Sequence, residues 1–182
     1  QYTPYMADNP SQLSPIHLYD LTTQNITVSP SDAWTTYDVA WSKSEQYIAY
    51  FGPAEQSYTL SVWEPNTNNV TDILDDVEYR DINSYHWAPN GNQLAISTQP
   101  IDGSNQLHIW DSKTNDLALI PFYRSYPKDI ALSWSPDGEW LAFIRPQDAD
   151  NRTTEGFLRA YSLEQARVQP IAPVVYPPDE KI

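Results

Sequence analysis

One segment occurs three times along this chain, and nothing else in the sequence constrains the fold as tightly. Val39-Ala40-Trp41-Ser42-Lys43-Ser44-Glu45-Gln46-Tyr47-Ile48-Ala49-Tyr50 reappears as Tyr85-His86-Trp87-Ala88-Pro89-Asn90-Gly91-Asn92-Gln93-Leu94-Ala95-Ile96. It appears again as Leu132-Ser133-Trp134-Ser135-Pro136-Asp137-Gly138-Glu139-Trp140-Leu141-Ala142-Phe143. The tryptophans Trp41, Trp87 and Trp134 stand 46 and 47 positions apart. Each copy carries the same local physics. A strand ends in Trp, and a turn follows in which Pro89 or Pro136 presets φ. Gly91 or Gly138, after Asn90 or Asp137, then tolerates positive φ. In the first copy Lys43-Ser44-Glu45 replaces this chemistry, so that turn is degenerate. The next strand alternates large apolar residues around a small Ala.

The second half of each unit is also repeated. Tyr58–Trp63, Gln106–Trp110 and Phe157–Tyr161 each lead through a polar connection into another strand, which is the pattern of a hairpin. Each unit is therefore a four-stranded meander that must stack on like neighbours to hide its faces. Residues 16–30 carry this second half alone. The expected organisation is an N-terminal extension (1–15), a half unit (16–30), units at about 36–75, 83–121 and 130–172, and a Pro-rich tail (173–182).

Trp134-Ser135-Pro136-Asp137-Gly138, matched by Trp87-Ala88-Pro89-Asn90-Gly91 and more loosely by Trp41-Ser42-Lys43-Ser44, resembles the repeat of TolB-type, WD40-like β-propellers. The likeness covers residues 16–172 and implies an all-β propeller of four-stranded antiparallel blades, about 3.5 in this chain. Proteins with this repeat include periplasmic TolB, which binds protein partners, and propeller domains that gate prolyl-oligopeptidase-like peptidases. Propellers close with four to eight blades. An open count leaves strand edges that template pairing with other chains. The ring is open, or it is completed by the termini, a partner or a longer chain.

Composition narrows the function classes. A formal charge of −14, with 24 acidic and 10 basic residues and no basic cluster, argues against a phosphate backbone as partner. No apolar run reaches the ~20 residues of a membrane helix, so membrane insertion is not expected. The chain has no Cys, so disulfides and thiolate chemistry are excluded. Low Lys with abundant Asn, Thr, Gln and Tyr fits an exported protein, periplasmic, cell-surface or secreted, whose signal has been removed.

Few residues suggest chemistry. No Gly-x-Ser-x-Gly elbow occurs, and nothing pairs the carboxylates for catalysis, so the chain is not expected to be an enzyme. Asp148, Asp150 and Asn151, with Glu155 further on, place oxygen ligands as calcium loops do, without the Gly or full ligand count of an EF-hand. Calcium is the one cofactor considered; an exposed polar hairpin explains the same residues. His86 precedes Trp87 on the first strand of its unit, where a central channel would lie, and packing accounts for it equally well. Tyr123 and Tyr126, in a connection between units, are candidate contact residues for a ligand or partner. Trp41, Trp87, Trp134, Pro89, Gly91, Pro136, Asp137 and Gly138 are repeat-defining structural positions. The expectation is a non-enzymatic module that binds protein or itself through open blade edges. The alternatives are a glycan- or small-ligand-binding propeller and the propeller domain of a larger peptidase-like protein.

Overall fold

The computed structural model describes residues 14–30, 34–35, 39–53, 58–77, 82–98, 106–120, 132–146 and 155–175, and every regular element among them is a strand. The chain divides into two compact units. One comprises Gln1–Trp41 with Glu45–Asp76, the other Ser42–Ser44 with Val77–Ile182.

The first unit opens with a short pair, β1 (Ser14–Pro15) and β4 (Trp34–Thr35). Between them lies a two-stranded hairpin, β2 (His17–Tyr19) and β3 (Ile26–Val28). A four-stranded antiparallel sheet follows in the order β5 (Val39–Trp41), β6 (Ile48–Pro53), β7 (Tyr58–Glu64) and β8 (Asn69–Val77). Its core gathers Ile16, Ile48, Tyr50 and Trp63, with Leu18 and Val70 packed against them. One face of the small hairpin, Ile16 and Leu18, thus lies on the Trp63 face of the full sheet.

The second unit holds two four-stranded meanders. One is β9 (Ile82–Trp87), β10 (Gln93–Thr98), β11 (Gln106–Asp111) and β12 (Asp116–Ile120). The other is β13 (Leu132–Trp134), β14 (Trp140–Pro146), β15 (Glu155–Ser162) and β16 (Arg167–Val175). Ala95, Leu107, Ile109 and Ile120 from the first meander form one core with Leu141 and Phe143 from the second, flanked by Trp134, Tyr161 and Val168. The stacking rule of the first unit recurs: the Leu-x-Ile face of one sheet packs on the aromatic face of the next.

Leu94–Thr98 of β10 are buried without interruption. Ala95 lies between His86 and Ile109 in register, and the small side chain suits a strand enclosed on both sides.

Turn chemistry follows the sequence. Gly91 and Gly138 have φ of +72° and +76°, and the amide of each bonds back to Ala88 or Ser135 at 2.9 Å. A Cβ on Gly91 would meet the Ser44 backbone nitrogen at 2.3 Å, so this position excludes a side chain sterically as well as conformationally. The degenerate turn keeps the same backbone shape, with Glu45 at φ 59° in the glycine position. Trp41, Trp87 and Trp134 all end the first strand of a sheet, opposite Ile48, Leu94 and Leu141. Their burial is not uniform: Trp41 is 49% exposed and Trp87 8%. The Trp134 indole donates to the His86 carbonyl at 2.9 Å. β16 continues to Val175 and so includes Pro173, a residue that composition assigns to the tail. Its register shift near Leu158 accommodates a strand containing Pro170 and Pro173.

Candidate functional site

The clearest open surface is the small hairpin β2–β3. Its turn is built like that of β11–β12. Asp20 and Asp111 each accept, through the backbone carbonyl, a bond of 2.8 Å from the residue four places on, Gln24 or Asn115. Those two residues have φ of 59° and 58°. The Asp20 carboxylate accepts the amides of Thr22 at 2.7 Å and Thr23 at 3.0 Å. These bonds, that from the Thr23 amide first, hold its pKa below the ordinary 3.8, so it is a fixed anion at neutral pH. At the other end the Ser29 amide donates to the Ile16 carbonyl, and the Ile16 amide donates to the Ser29 hydroxyl, both at 2.9 Å.

The ladder alternates, so these bonds determine where the remaining polar groups point. Ile16, Leu18 and Asp20 bond towards β3, and the amides and carbonyls of His17 and Tyr19 point away from it. Among the described residues β2 pairs with β3 alone. The side chains add an apolar face. Tyr19 is 56% exposed, Ile26 opposite it 61%, and Val28 42%. Tyr19 holds the repeat position of Trp63 and Trp110, which are 0% and 4% exposed.

Of the other candidate binding and metal residues, only His86 and Glu155 fall among the described residues. Tyr123, Tyr126, Asp148, Asp150 and Asn151 lie outside the described residues. Glu155 opens β15, paired with Val175. Among the described residues no three His, Cys, Asp or Glu side chains are grouped as a metal site. His86 is exposed on β9, and its carbonyl, not its ring, makes the contact to Trp134. His108 is half-buried, with Nε2 3.3 Å from Gln106 Oε1, and burial pushes its pKa below 6.5. The aromatic contacts pack sheets internally: Phe51 stacks on Tyr58 at 5.1 Å, and Trp87 meets Trp110 edge-on at 6.2 Å. The Trp63 and Trp110 indoles donate to Asn68 and Asn115 at 3.2 and 3.0 Å. Sequence reasoning found the half unit and its edge but not the apolar face on it. The available signal was Tyr19 at a position where two full units carry Trp.

Comparison with solved structures decides the fold. TolB from Acinetobacter baumannii superposes with a TM-score of 0.55 at 16% identity, over 88% of this chain and 40% of TolB. The chain carries a TolB-like β-propeller fold. An oligogalacturonate lyase solved in complex with manganese matches this chain with a TM-score of 0.62 at 11% identity, over 88% of the chain and 48% of the lyase. Protein HIR1 from Gibberella zeae is 34% identical over 62 residues, which is 34% of this chain and 6% of that protein. The chain thus spans less than half the length of each of these three proteins. No family model matches it. At these identities the structural likeness establishes architecture, which enzymes and non-enzymes share.

Proposed function

We propose that this propeller chain is a non-enzymatic module that binds protein, a partner or a second copy of itself, through open blade edges outside the cytoplasm. One observation carries the reading: β2 has a single pairing partner among the described residues, and the β2–β3 hairpin bears the exposed residues Tyr19, Ile26 and Val28. An edge of unpaired amides beside an apolar face is a template for strand addition. The extracytoplasmic placement is supported by composition and by the TolB-like fold. A charge of −14 per chain opposes self-association at low ionic strength, so any homo-oligomer strengthens as salt rises.

Size-exclusion chromatography with light scattering, across concentration and salt, tests the self-assembly branch. A mass that stays at 20.8 kDa throughout removes it and leaves strand capture from another protein. A chain that stays monomeric and takes up no strand at any edge overturns the reading.

A further inference from the structure

We infer that the open edge of β2 is a docking site for a β-strand from a partner polypeptide, with a donor side chain, then Leu or Ile, Ala, and Ile or an aromatic residue. The inference rests on the binding-module reading above and specifies where the partner sits and what it looks like. Its basis is continuity with an interface that the chain itself forms three times. In each full sheet the strand equivalent to β2 is covered by a neighbour in the same register. Ile48, Ala49 and Tyr50 lie opposite Trp63, Val62 and Ser61. Leu94, Ala95 and Ile96 lie opposite Trp110, Ile109 and His108. Leu141, Ala142 and Phe143 lie opposite Tyr161, Ala160 and Arg159. Transferred to β2, this register sets Leu or Ile opposite Tyr19, Ala opposite Leu18, and Ile or an aromatic residue opposite His17. The His17 and Tyr19 amides and carbonyls then gain the bonds that their equivalents already have.

Charge fixes the next position. Gln93 lies opposite Asp111, and its Nε2 donates to the Asp111 carboxylate at 3.1 Å. Asp20 is the equivalent of Asp111 and lies at the mouth of the open edge. On a chain of −14, the residue that best meets it is a basic donor, Lys in place of Gln. The same charge disfavours a second copy as the occupant.

The test uses the full chain and a synthetic peptide of residues 91–98, Gly-Asn-Gln-Leu-Ala-Ile-Ser-Thr, with Gln93→Lys, followed by amide exchange in NMR spectra. In the free chain the His17 and Tyr19 amides exchange fast, while those of Ser61, Trp63, His108 and Trp110 are protected. Peptide at ten times its Kd slows His17 and Tyr19 about tenfold. An Ile96→Pro peptide, which lacks the amide that bonds towards β2, gives no slowing. The Lys peptide binds several-fold more tightly than the Gln peptide, and Asp20→Asn, which keeps an acceptor for the Thr22 and Thr23 amides, abolishes that preference. Slow exchange at His17 and Tyr19 before peptide is added means that the chain fills its own edge, which overturns the inference. Protection at a different strand edge also overturns it while leaving the binding-module reading intact. A monomer with no protection anywhere overturns both.

Discussion

Two hairpins of one design, β2–β3 and β11–β12, meet different fates. Their turns match in backbone hydrogen bond and in the left-handed residue that closes them, Gln24 or Asn115. Yet Tyr19 is half in solvent, whereas Trp110 is buried beneath the edge of Trp87. The hairpin is therefore a local product of turn chemistry, and burial comes from the strands and sheets laid against it. Stability should reside in the covered hairpin and availability for binding in the bare one.

The largest expected effect divides the two. Trp110→Ala removes an indole from a packed interior and is expected to cost about 3–5 kcal/mol. Tyr19→Ala removes a ring mostly in water and is expected to cost under about 1 kcal/mol. Guanidinium unfolding of both variants measures the contrast. Equal losses would show that the β2–β3 hairpin is covered in solution, which breaks the comparison.

How much of this was legible beforehand follows the same division. The turns were legible because positive φ has few residue solutions: Pro89-Asn90-Gly91 and Pro136-Asp137-Gly138 announce theirs. Glu45 hides its turn, since its φ of 59° is imposed by the surrounding hairpin. Strand order was legible because the copies repeat. Burial was not, because it depends on which neighbour is present. Trp41 and Trp87 share a strand position and differ in exposure, 49% against 8%. Composition likewise reads Tyr19 as one more packing aromatic, and only its 56% exposure shows otherwise. The acidic Asp148–Asn151 stretch and the Tyr123–Tyr126 connection lie outside the described residues and stay as the sequence left them.

A second pair of substitutions sharpens the contrast within the turns. The Asn115 side chain accepts the buried Trp110 indole N–H at 3.0 Å and occupies a left-handed backbone position that Asn tolerates better than Ala. Asn115→Ala removes that acceptor and is expected to cost about 1–2 kcal/mol. Gln24→Ala, at the same turn position under an exposed Tyr19, is expected to stay within about 0.5 kcal/mol. Thermal unfolding of the two variants gives the difference. A cost at Gln24 matching that at Asn115 would assign the energy to backbone conformation alone.

The smallest expected effect is a pH dependence confined to the covered hairpin. His108 is half-buried on β11, and loss of hydration disfavours its charged form, so its folded pKa lies below the ordinary 6.5. The unfolded chain therefore binds more protons just below that value. Stability is fully present above pH 6.5 and declines as pH falls through the window beneath it. His108→Gln removes the proton-binding group, so the urea midpoint of the variant should vary less between pH 7 and 5 than that of the parent. The depressed carboxyls of Asp20 and Asp137 have the opposite charge type. Their contribution is present above the ordinary 3.8 and is lost only at lower pH, outside the window in which His108 titrates. A parent midpoint that is flat from pH 7 to 5 would mean that the ring charges in the folded state without penalty, and that the β11 face is as open to water as the face of β2.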